Sequence, residues 1–167
     1  EIHFMPSWMF NFFTDRKLQR YFALQQKEQF NNRIMLGNEG EIPVPTLAFN
    51  RIFILLHIYR HLFQEGIGLR QLLDYHYVLK QAVTIAQMKE FGVLRFTGAV
   101  MYILKEIFGL EDKYHIVEPR EKEGTELLNE VMRMGNFGKY APEFIIQQNG
   151  TLLQRAVSRT KFNLSKI

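Results

Sequence analysis

TLAFNRIFILLHIYRHLFQE, residues 46–65, decides the fold. Wound at 100° per residue, it spreads Leu47, Ile52, Leu55, Leu56, Tyr59, Leu62 and Phe63 around most of a cylinder. A helix that is apolar nearly all round has to be enclosed by others, so this stretch predicts the central helix of a helical domain. Pro45 stands just before it and Gly66-Ile67-Gly68 ends it.

The neighbouring segments supply the enclosing elements. Leu69–Gln81 carries Leu69, Leu72, Leu73, His76 and Leu79 on one side, and Thr84 with Gln87 resembles a capping box. Leu94–Phe108 is amphipathic and closed by Gly109. Pro119 opens an acidic helix running to about Met134, where Gly135 supplies a left-handed C-cap. A last helix covers roughly residues 151–163. Upstream, Thr14 or Asp15 is the expected N-cap of a helix carrying Leu18, Tyr21, Phe22, Gln25 and Gln29, and Gly37, Gly40, Pro43 and Pro45 mark an irregular connection. Neither an internal repeat nor a low-complexity segment interrupts this pattern.

The opening Glu1-Ile2-His3-Phe4 alternates polar and apolar side chains, the pattern of a half-buried strand. No later stretch offers a convincing partner, so residues 1–5 read as the last strand of a sheet whose other members lie upstream, and residues 6–167 as the helical domain. The expected class is therefore mainly α: a multi-helix bundle with one N-terminal β-strand, excised from a longer α+β protein.

Composition narrows the function classes. The absence of cysteine removes disulfides, zinc ribbons and thiol nucleophiles together, and with no signal-like apolar region the expectation is a cytoplasmic protein. Ile52–Ile58, the most apolar run, already contains His57 and falls far short of the roughly 18 residues a membrane span needs. Fifteen Phe and seven Tyr demand a thick core or a concave aromatic surface. The net charge of +4 is local: residues 1–138 are balanced, and the excess lies in 139–167 with Arg155, Arg159, Lys161 and Lys166. Four charges on one surface helix are ordinarily a solvated face, so nucleic acid is not the expected partner.

Three groups of residues could carry chemistry. On the central helix Asn50, His57, Arg60, His61 and Gln64 form one polar stripe, facing a ligand cleft, a neighbouring domain or water. His57 and His61 also have the i,i+4 spacing of a metal pair, but Ile-Tyr-Arg between them lacks the glutamate of H-E-x-x-H, and a third ligand from Asp74 or His76 is not required by the spacing. Arg70 and Asp74 form an i,i+4 pair after a glycine-bounded loop, either a surface ion pair or a guanidinium oriented toward phosphate. Gly135-Asn136-Phe137-Gly138-Lys139 reads as a helix end that could also touch a ligand through Asn136 and Lys139. No Walker loop, GxGxxG or Ser/His/Asp set accompanies them.

Glu1-Ile2-His3-Phe4, Ile42-Pro43-Val44-Pro45, the block HIYRHLFQEGIGLRQLLD at 57–74 and Gly135-Asn136-Phe137-Gly138 together resemble the C-terminal part of a family of uncharacterised bacterial nucleotidyltransferases. That family is distantly related to the DNA polymerase beta superfamily. The resemblance runs over most of residues 1–140. It implies an NTP and an unknown acceptor as partners and Mg²⁺ as cofactor, held by a Gly-Ser turn, an Asp-x-Asp pair and a third carboxylate from a later strand. The first two elements are absent from this chain, and the resemblance makes Glu1 the candidate third carboxylate, as metal ligand and catalytic residue. Clustered carboxylates of this kind hold Mg²⁺ against the triphosphate. The helices would then cover the sheet, with Asn50, His57, His61, Arg70 and Asp74 facing the cleft, and the isolated helical portion would be catalytically inert. A non-enzymatic helical protein-interaction module is the competing expectation, with Trp8, Phe10, Phe12 and Phe13 as its open aromatic patch.

Overall fold

The computed structural model describes residues 5–64, 66–81 and 89–134. Among them the elements are α1 (Phe12–Asn31), β1 (Arg33–Met35), β2 (Glu41–Pro43), α2 (Leu47–Gln64), α3 (Leu69–Gln81), α4 (Leu94–Phe108) and α5 (Glu121–Met134), with a 3-10 turn at Asp112–Tyr114. The chain is mainly α, a helical bundle, as its apolar periodicity requires. The expected strand Glu1–Phe4, the capping box at Thr84 and everything from Gly135 onward lie outside the described residues.

α1 begins earlier than its sequence suggests. The cap is Asn11, whose Oδ1 accepts from the Phe13 and Thr14 backbone N–H groups at 2.9 and 3.2 Å, two of the donors that a helix start leaves unpaired. Asp15 has a different task. Its Oδ1 accepts from the Met9 N–H at 2.8 Å and from Gln19 Nε2 at 3.1 Å, while Gln19 also donates to the Ser7 carbonyl at 3.0 Å. These bonds fold residues 7–9 back along the first turns of the helix.

The segment between α1 and α2 is not irregular throughout. β1 and β2 form an antiparallel hairpin with Ile34 opposite Ile42, flanked by Arg33–Pro43 and Met35–Glu41. Gly37 and Gly40 both take positive φ, 52° and 103°, which lets the chain turn between the strands. All six strand residues are exposed, so neither face shows the alternation by which a strand is usually read. The hairpin is anchored at its base: Val44 N–H donates to the Asn32 carbonyl, and Asn32 Nδ2 donates to the Val44 carbonyl at 2.9 Å. Gln29 Oε1 accepts from the Thr46 N–H at 2.6 Å, and Thr46 Oγ1 accepts from the Phe49 N–H, starting α2.

α2 is buried on most sides, as expected of the central helix. Phe49, Ile52, Leu55, Leu56, Ile58 and Leu62 are all in the core, joined by Leu18 and Phe22 of α1 and by Leu72, Tyr75 and Leu79 of α3. Burying a side chain of this size is worth about 1.5–3 kcal/mol, so the sum far exceeds what any cap contributes. α4 is buried continuously from Thr97 to Met101. It ends at Gly109, φ 65°, where Gly109 and Leu110 N–H groups donate to the Lys105 and Leu104 carbonyls. α4 and α5 approach closely because Gly124 faces Tyr102 of α4, while Gly98 faces Glu118 and Arg120 in the segment that leads into α5. The Arg120 N–H even donates to the Gly98 carbonyl at 2.9 Å.

Candidate functional site

Phe49, Phe53, His57 and His61 recur every fourth residue and therefore line one side of α2. Their rings form a ladder, with centroid separations of 5.8, 5.5 and 4.3 Å, the last an edge-on contact between the two imidazoles. Phe22 of α1 extends it at 5.5 Å from Phe49. Both imidazoles are half-buried, as is Asn50. A neutral imidazole both donates and accepts a hydrogen bond, and two side by side can meet adjacent oxygens of one polar ligand.

Arg60 departs from the expected polar stripe. It is only 8% exposed and packs inward, and its Nε finds no hydrogen-bond partner among the described residues. The second buried guanidinium, Arg51, lies between α2 and α3, where its Nη2 reaches the Leu79 carbonyl at 3.5 Å. Burial lowers its proton affinity, and burial raises the phenol pKa of the neighbouring Tyr75. His76 is also buried, against the Phe108 ring at 6.0 Å; desolvation, then the nearby Lys80 charge, hold its pKa below the ordinary histidine value.

The loop before α3 is a packed connector. Gly66, Ile67 and Gly68 are buried; Gly66 N–H donates to the His61 carbonyl at 2.7 Å and Gly68 N–H to Gln71 Oε1 at 3.0 Å. Arg70 and Asp74 are exposed on α3, and no ion pair or hydrogen bond joins them to each other or to the imidazoles. The structure thus brings His57 and His61 together, with Asn50 on the same side of α2, and leaves Arg70 and Asp74 exposed on α3. Glu1, Asn136 and Lys139 lie outside the described residues.

A second polar group escaped the sequence reading. Lys105 Nζ meets Asp112 Oδ1 at 3.0 Å, and His115 Nδ1 lies 3.7 Å from the same oxygen, beside a concavity of about 290 Å³ that Glu118 also lines. The hydrogen bond, then the charge, raises the Lys105 pKa and lowers that of Asp112. The available signal was Asp112-x-x-His115 with Lys105 seven residues before Asp112, a pattern with no chemical motif behind it.

Among the described residues no three His, Asp or Glu side chains converge as metal ligands, so the His57–His61 pair has no third ligand there. No helix among them is long and apolar enough to cross a membrane. Comparison with protein-family models, curated proteins and solved structures yields no match.

Proposed function

We propose that this chain is the helical portion of a nucleotidyltransferase that moves a nucleotidyl group from an NTP to an acceptor, and that it binds and positions a ligand rather than performing the chemistry. Two things support this reading: the ordered motif resemblance, and the half-buried His57–His61 pair beside Asn50 on α2, which carries it. Imidazole and amide groups at a core's rim suit phosphate or sugar oxygens, because each offers a directed hydrogen bond without a fixed charge to desolvate. Mg²⁺, with Glu1 as a ligand, belongs to the same reading; Mg²⁺ would neutralise triphosphate charge, and no described residue is assigned to it.

The test uses the intact natural protein and labelled NTPs. His57→Phe extends the aromatic ladder while removing both ring nitrogens, so it separates hydrogen bonding from packing. The expected result is transfer by the wild type and a raised KM or lowered kcat in His57→Phe and His61→Phe, with thermal stability retained. Transfer unaffected by both substitutions would overturn the positioning role; absence of transfer with every NTP would overturn the enzymatic reading. In that case the helical protein-interaction module takes its place, a reading favoured by the exposed Ile34, Met35 and Leu36 of the hairpin region.

A further inference from the structure

The outward side of α1 carries a combination that its fold does not need. Leu18 and Phe22 bury the inner side, whereas Phe12, Phe13 and Leu24 are 71, 74 and 71% exposed. At 100° per residue these three share an arc of about 140° with Arg16, Lys17, Arg20, Ala23 and Lys27, all of them exposed. No acidic residue falls within that arc; Asp15 points inward to Met9 and Gln19. Nor are the four cations engaged: none makes an ion pair or a side-chain hydrogen bond. Elsewhere the surface does pair its charges, as in Arg95–Glu123, Lys105–Asp112 and Arg133–Glu130.

We infer that the outer side of α1 docks onto an anionic lipid surface, the helix lying parallel to it. Charge complementarity selects an anionic partner, and the arrangement of the apolar groups selects a membrane. Phe13 and Leu24 lie about 16 Å apart along the axis and point the same way, so both can enter the headgroup region of a flat surface together. Phe12 flanks them, and the flexible Lys and Arg stems between them let their charges reach lipid phosphates while their methylenes follow the rings inward. A partner helix fits less well. The seam it would need, at 13, 17, 20, 24 and 27, reads Phe, Lys, Arg, Leu, Lys, which would bury three cations against a protein surface. A nucleic acid would use the cations but offer Leu24 nothing to bury against. Neither the apolar nor the cationic component is sufficient alone, since stable interfacial binding takes both.

The test is co-sedimentation of the intact protein with phosphatidylcholine vesicles, with and without phosphatidylglycerol, at low and high salt. Binding is expected only with phosphatidylglycerol. Replacing Arg16, Lys17, Arg20 and Lys27 together by Gln should weaken it by roughly 10²–10³-fold, at about three- to sixfold per cation. Phe12→Ser with Phe13→Ser should weaken it at least about tenfold. Met132→Ser, which removes an apolar side chain 64% accessible on α5 and outside the arc, should leave it unchanged. All three variants alter exposed side chains, and an unchanged melting temperature confirms that each is folded. No binding to phosphatidylglycerol vesicles would overturn the inference. So would binding indifferent to Phe12 and Phe13, or tighter binding of a single-stranded RNA oligonucleotide through the same cations.

Discussion

Gly124→Ala runs against the usual rule for a glycine inside a helix. An exposed mid-helix Gly→Ala substitution gains about 1 kcal/mol, because alanine loses less backbone entropy on folding. At position 124 of α5 the added methyl would stand 2.6 Å from Tyr102 Cβ and 2.7 Å from its Cγ, where carbon pairs settle at about 3.5–4.0 Å. Tyr102 cannot relieve this by rotating, since its Cβ is fixed to the α4 backbone. The helices must separate by most of an ångström, and the Arg120 to Gly98 hydrogen bond between the α5 approach and α4 stretches with them. Overpacking costs about 1–3 kcal/mol, and the upper end less the propensity gain leaves about 2 kcal/mol of net destabilisation. For a chain of this size that lowers Tm by about 4–8 °C in a thermal melt. Tyr102→Ala removes the ring but keeps the offending Cβ, so the double variant should recover little of the loss. An unchanged or raised Tm in Gly124→Ala, or full rescue by Tyr102→Ala, would refute the claim that the backbones are closer than two methyl-bearing residues allow.

Three further perturbations test other parts of the bundle. Tyr75→Phe should be neutral or stabilising by up to about 1 kcal/mol in chemical denaturation, because the Tyr75 hydroxyl is buried and has no hydrogen-bond partner among the described residues. Asn11→Ala should cost about 1 kcal/mol, visible as a lower urea midpoint, since it strips the cap from the Phe13 and Thr14 N–H groups. Burial, then Lys80, depresses the pKa of His76 in the folded state, so the unfolded chain takes up this proton first as pH falls. The contribution of His76 to stability is therefore full above about pH 6.5 and is lost as pH drops through its lower folded pKa; His76→Leu should flatten a plot of Tm against pH over that range.

Much of the fold was legible because two signals coincided. α3 and α4 occupy Leu69–Gln81 and Leu94–Phe108, the spans at which helical periodicity meets glycine on one side or both. α1 was readable in its interior but not at its start: Asp15 is a stronger cap candidate by type, yet its carboxylate is occupied by Met9 and Gln19, and Asn11 takes the cap. The hairpin escaped because its pairing is held by backbone bonds and positive-φ glycines, with no buried face to imprint alternation. The neighbourhood of His57 and His61 followed from spacing alone. The direction of Arg60 did not, because a long side chain on the border of a polar stripe can turn either way. Arg51 was hidden for a related reason, lying beside Asn50 at the start of the apolar run and burying its charge against α3.

The distribution of buried polar groups divides the bundle mechanically. α4 and α5 meet through glycines and apolar side chains, with their charges paired at the surface, and any separation breaks close packing at once. Arg51 lies between α2 and α3, Tyr75 is fully buried on α3 and His76 packs against Phe108 of α4, and atoms of all three lack hydrogen-bond partners among the described residues. Each such group subtracts from the gain on closing the bundle around it.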